Sequence, residues 1–228
     1  MRNVAYLAGI VLTIAVASHF AFEVSRAGTP SFYFFMAVPT VILALVGVLR
    51  AKHDGILKSW ISVRSGDFTR GFAAAAVLFG AAYAFMKTVA PPESDRASWL
   101  ARLYLQVGDP TMLRKSVPLV VAALVVMVIA EELLWRGLVI SLLEEVIGSS
   151  RAWVWAAVLY AVAHAPTIWA LRDPVAGLNP VIVIAALGCG LVWGGMARKF
   201  ERLLPSVFSH FLFDWVVIMM FRLWGPSV

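Results

Sequence analysis

The sequence predicts an all-α protein, a polytopic integral membrane bundle of about seven helices, from three observations. Of its 228 residues, 61% are apolar and 14% charged, against roughly 45–50% and 25% in soluble domains. Mean hydropathy is +0.86. The apolar residues fall into runs near the ~20 that a helix needs to cross hydrocarbon. Together these exclude a soluble domain, a disordered chain and a coiled coil. The net charge of +6 lies in short segments between the runs. There it reads as loop charge beside anionic lipid, not as a nucleic-acid surface. The one cysteine, Cys189, allows neither an intramolecular disulfide nor a cysteine-based metal cluster.

The runs cover about 4–22, 31–49, 70–90, 117–143, 152–171, 175–197 and 203–223, and each is expected to cross with some tilt. The first has only Arg2 as a basic leader and no convincing small-x-small cleavage site, so it reads as a span and not a signal peptide. The loop 50–69 is basic. The longer loop 91–116 opens with Pro91-Pro92, and the apolar residues around Arg102 recur at helical spacing. An amphipathic interfacial helix is expected over 97–107. No repeat divides the chain. Residues 1–116 read as N-terminal spans plus that helix and residues 117–228 as the helical core, in one integrated membrane domain.

With seven spans, the N-terminal side carries 10 basic loop residues, Arg202 among them, against 8 on the other side, or 3 once Lys87 and the long loop are set aside. The positive-inside rule then puts the N-terminus in the cytoplasm. Gly190 and Gly194 have small-xxx-small spacing for close helix approach. The nine tryptophans are expected mostly as lipid-facing or interfacial anchors.

The informative residues are those that do not belong in lipid, because a charged group at mid-membrane costs at least ~2.5 kcal/mol on the insertion scale. They sit in three late runs: Ile129-Ala130-Glu131-Glu132-Leu133-Leu134-Trp135-Arg136-Gly137, Tyr160-Ala161-Val162-Ala163-His164, and His210-Phe211-Leu212-Phe213-Asp214. Glu132 and Arg136, four apart, share a helix face and are expected to pair. Glu131, about 100° round the helix, needs another partner, for which His164, His210 or Asp214 are the candidates. His210 and Asp214 are again four apart, so the aspartate can orient the imidazole. Depth along the runs is compatible with one site. His19 and His53 read as bystanders, and Glu144-Glu145 as interfacial.

Several chemistries fit such a set. A carboxylate and an imidazole can take a proton from water for hydrolysis, with the remaining His and Asp stabilising an oxyanion. Glu131, His164 and His210 could instead ligate Zn²⁺ with a water in the fourth position. Buried Glu/His chains also serve proton-coupled transport, and a purely structural network in a membrane scaffold is the remaining reading.

The order Glu131-Glu132-x-x-x-Arg136, Tyr160-x-x-x-His164, His210-x-x-x-Asp214 resembles the CPBP intramembrane proteases, the group of the type II CAAX prenyl endopeptidases and the bacterial Abi proteins. The resemblance spans about 117–223. In two places the sequence departs from the pattern: the aromatic before the first His is commonly Phe, and the last position is often Asn. The resemblance implies an intramembrane endopeptidase cutting near the C-terminus of a membrane-anchored or lipidated peptide. It implies that Glu131 and His164 activate water, that Glu132 and Arg136 hold the site in shape with Tyr160, and that His210 and Asp214 stabilise the oxyanion or complete the site. It favours a glutamate-type mechanism without a cofactor over a zinc-dependent one using the same residues. The expected setting is a multi-pass protein of the cytoplasmic membrane of a prokaryote, with lipid and a tail-bearing substrate as partners.

Overall fold

The computed structural model describes residues 2–223, and among them no strand occurs. In chain order the helices are α1 (Arg2–Ala21), α2 (Pro30–His53), the single turn α3 (Leu57–Trp60), α4 (Asp67–Thr88), α5 (Ala97–Val107), α6 (Pro110–Lys115), α7 (Val117–Glu131), α8 (Ile140–Ile147), α9 (Ser149–Ala163), α10 (Thr167–Ala170), α11 (Val181–Phe200) and α12 (Leu204–Trp215). Glu132–Val139 joins α7 to α8, and Val216–Leu223 continues α12, both in the wider i→i+5 register of a π-helix.

Among the described residues, six helical stretches are long and apolar enough to span a membrane: Arg2–Ala21, Pro30–His53, Asp67–Thr88, Val117–Ile147, Ser149–Ala170 and Val181–Phe200. The seventh run, expected to be a full span, gives the shorter apolar helix Leu204–Met219 among the described residues. Glu201, left-handed (φ 55°), ends α11, and Pro205 in the first turn starts the new helix close to the expected position. The fifth run, read as one span over 152–171, is the span Ser149–Ala170 with a turn inside it. Pro166 lacks the N–H that would continue the ladder and disfavours helix in the residue before it, so α9 ends at Ala163 with His164 as its cap.

Small residues set the helix crossings, as close approach in lipid requires. A Cβ on Gly190 would lie 3.0 Å from Ala157 Cβ, and one on Gly194 3.2 Å from the Trp153 carbonyl, so α11 and α9 meet almost backbone to backbone. Gly71 brings α4 equally close to Phe208 and the Pro205 carbonyl of α12. Leu134, Trp135, Leu138, Val139 and Leu142 form the core with the alanine face of α9. Exposed Leu12, Ile42, Phe72 and Leu119 cover outer faces, as in a bundle solvated by lipid.

The tryptophans depart from expectation. Trp60, Trp99, Trp135 and Trp193 are buried, and only some, such as Trp155 and Trp169, face outward. Three of the buried four surround the polar residues of the site, where a large amphipathic ring seals polar groups from lipid. Arg202 also departs from its reading as loop charge: it is buried against Asp67, its Nε donating to Oδ1 at 3.0 Å and Oδ2 at 3.1 Å.

The amphipathic helix expected over 97–107 is α5. Asn179 fixes it, donating to the Trp99 carbonyl at 2.9 Å and the Leu171 carbonyl at 3.3 Å, with Arg102 paired to Asp173 at 3.3 Å. Its C-terminal end meets the α1–α2 connection where Gly28 and Gly108 approach so closely that a Cβ on Gly28 would stand 2.9 Å from the Gly108 Cα.

Candidate active site

Glu131 is the last residue of α7 and Glu132 the first of the π stretch. The changed register buries almost every residue of that stretch, charged ones included: Glu132, Leu134, Trp135, Arg136, Gly137, Leu138 and Val139. Such π segments recur at functional sites. Gly137 admits the Trp60 ring, since a Cβ there would lie 2.7 Å from it. Gly47 of α2 meets the stretch at Leu138.

Two chains of contacts run through the site. In the first, the Tyr160 hydroxyl donates to Glu131 Oε2 at 2.6 Å, and His164 Nδ1 lies 2.8 Å from the Tyr160 carbonyl. A carbonyl only accepts, so Nδ1 carries a proton, and the lone pair of the neutral form of the ring is on Nε2. No other hydrogen bond to Glu131 or to His164 Nε2 occurs among the described residues. Glu131 is half-buried.

In the second chain, Glu132, fully buried, accepts from His210 Nδ1 at 2.9 Å and sits 3.3 Å from Arg136. His210 Nε2 faces Asp214 Oδ2 at 3.4 Å. The His210 ring stacks on Trp193 with centroids 3.8 Å apart, and Trp193 Nε1 donates to Ser209 Oγ at 3.1 Å. The Arg136 guanidinium lies over the Tyr160 ring at 4.8 Å and the Trp193 ring at 5.0 Å. These faces solvate the cation where water does not reach. With the imidazole protonated, two carboxylates and two cations make this quartet neutral, the form in which buried charge is tolerated.

The seven residues singled out in the sequence all fall on these two chains, which meet at Tyr160. Their pairing differs from expectation. Glu131 finds a tyrosine hydroxyl and not a histidine. Glu132 hydrogen-bonds to His210, while its contact with Arg136 is an ion pair without hydrogen-bond alignment. The alternative zinc set of Glu131, His164 and His210 is not gathered: among the described residues no three His, Cys, Asp or Glu could hold a metal ion together. Both His210 nitrogens face carboxylates, which leaves no lone pair directed at a metal. Trp193, Ser209, Trp60 and the Tyr160 hydroxyl were not legible as site components. The one available signal was a tyrosine, with its polar tip, deep in an apolar run.

Beside α12 a cavity of about 530 Å³ opens between α4, α5, α11 and α12, lined by Leu78, Tyr83, Leu103, Cys189 and Phe213 among others. Its size is that of a ligand pocket, and Phe213 adjoins Asp214.

Residues 113–216 match the family model described as type II CAAX prenyl endopeptidase Rce1-like. Comparison with curated proteins and with solved structures gives no match. The matched segment holds all three motifs and both contact chains, and over it the chain is similar to the type II CAAX prenyl endopeptidases.

Proposed function

We propose that the protein cleaves a peptide bond near the C-terminus of a prenylated CAAX-type or otherwise membrane-anchored tail, using water activated by Glu131 and His164 without a metal. The observation that carries this reading is the Glu131–Tyr160–His164 chain. One half-buried carboxylate and one imidazole of defined tautomer hang on the same tyrosine, each with a basic atom free. The water oxygen attacks the scissile carbonyl carbon as its proton passes to the Glu131–His164 pair. That proton then goes to the departing amine as the C–N bond breaks. His210 and Asp214 complete the site beside the reacting pair. Glu132 and Arg136 hold this arrangement in shape. The apolar cavity beside Phe213 suits the lipid or apolar side chains of the tail. The metal-free reading is supported by the arrangement of the donors, which do not converge. The basic loops argue for an N-terminus in the cytoplasm.

The test uses protein purified in detergent after exhaustive chelation and a fluorescence-quenched peptide ending in a farnesylated CAAX tail. Wild type is expected to cleave it. Glu131→Gln and His164→Ala are expected to lose on the order of 10²–10⁴-fold in rate while keeping their melting temperature. Normal cleavage by either variant removes the mechanism. Activity lost on chelation and restored by zinc removes the metal-free part. Absence of cleavage by wild type, with farnesylated and unmodified tails alike, removes the substrate class.

A further inference from the structure

We propose that the Tyr160 hydroxyl is a positioning group for the reaction: it fixes which oxygen of Glu131 faces the water and ties that carboxylate to His164 through a single rigid residue. The inference rests on the reading of Glu131 as the water-activating base.

A glutamate's terminal torsion is broad and roughly two-fold, so an untethered carboxylate presents its oxygens in many orientations. Here Oε2 is occupied by the Tyr160 hydroxyl at 2.6 Å, within the short range of O–H···O⁻ bonds. Oε1 is thereby left for water. The tether is itself immobile. The Tyr160 ring is buried, 5.0 Å from Trp135 between centroids, and lies under the Arg136 guanidinium at 4.8 Å. Its own carbonyl takes the proton of His164 Nδ1, and its ring meets the imidazole edge-on at 4.8 Å. Carboxylate and imidazole are therefore referred to one residue, although they come from helices 33 positions apart in sequence. A phenylalanine at this position would keep the ring contacts, the bed for Arg136 and the carbonyl bond. It would lose only the link to Glu131, so the hydroxyl's role is separable from the ring's.

Tyr160→Phe and Glu131→Gln are compared with wild type on the same farnesylated quenched peptide, with kcat, KM and melting temperature measured for each. Tyr160→Phe is expected to lower kcat on the order of tenfold, because a carboxylate off its attack geometry loses effective molarity. KM and melting temperature are expected to stay at the wild-type values. Tyr160→Ala, which also strips the bed from Arg136, is expected to lower melting temperature as well. A wild-type kcat in Tyr160→Phe while Glu131→Gln is inactive overturns the positioning role alone. So does a loss that resides in KM, or one that comes with a matching fall in melting temperature. Normal cleavage by Glu131→Gln overturns this inference together with the reading beneath it.

Discussion

Glu132 and Arg136 bear on whether the site stands up at all. Their side chains are 0% and 2% exposed, so removing either leaves the other's charge buried without its main partner. Such breaks cost about 3–5 kcal/mol. Glu132→Gln and Arg136→Ala are accordingly expected to lose thermal stability in detergent along with activity. Full stability with no cleavage would make the pair part of the chemistry. The sequence exposed these residues because ions in an apolar run are too costly to be incidental. It hid their partners for two reasons. Spacing rules for an α-helix do not hold across a π stretch, so the four-residue step from Glu132 to Arg136 gives an ion contact while the hydrogen bond comes from His210, 78 positions away. A tyrosine in an apolar run also reads as one more aromatic, although its hydroxyl satisfies Glu131.

At the scale of elements, the period of α5 was readable and its attachment was not. Helical spacing about Arg102 gives the helix. Nothing local announces that Asn179 will tie down its first turn from 80 positions away. Asn179→Ala would leave the Trp99 and Leu171 carbonyls without that donor, a loss of about 1–3 kcal/mol. Hydrogen exchange of the amides over 97–107 is expected to quicken, while that of α11 beyond its first turn stays as it was. Uniform quickening would mean that Asn179 supports the bundle and not α5. The Arg102–Asp173 tie adds a pH dependence. The backbone N–H groups of Ala176 and Val175, and then Arg102, hold the Asp173 carboxyl below its ordinary value of 3.8. A group lowered in the folded state contributes stability above its unfolded value and loses it as pH falls towards the folded one. The difference in melting temperature between wild type and Asp173→Ala is therefore expected to be complete at pH 7 and to shrink below pH 3.8. A difference that persists at low pH would assign it to contacts of Asp173 that do not need its charge.

For the whole molecule the question is how the first half of the chain, outside the matched segment, holds the second. Three of the contacts that do so gather around the start of α12. Trp60 packs into the notch at Gly137, and its carbonyl accepts from Leu203 N at 3.0 Å. Gly71 lets α4 lie against Phe208, two residues before His210. Asp67 at the start of α4 holds Arg202 at the start of α12, across 135 positions. That separation is why the sequence left Arg202 among the loop charges: basic residues between spans are usually solvated, and only tertiary structure brings a carboxylate to this one. Asp67 is 0% exposed and also accepts from Arg64 N at 2.8 Å. Arg202 is 5% exposed and Asp67 keeps the Arg64 N–H when Arg202 is removed, so the low end of the buried-pair range applies, about 3 kcal/mol for either single alanine. Because α12 carries His210 and Asp214, Asp67→Ala and Arg202→Ala are expected to lower cleavage as well as melting temperature, with no contact to the site itself. Replacing both together, Asp67→Leu with Arg202→Met, is expected to return part of the stability, since the cost lies in orphaning one charge and not in lacking the pair. Singles that cost less than about 1 kcal/mol would put the pair with ordinary surface salt bridges, and the hold on the start of α12 would then rest on Trp60 and Gly71.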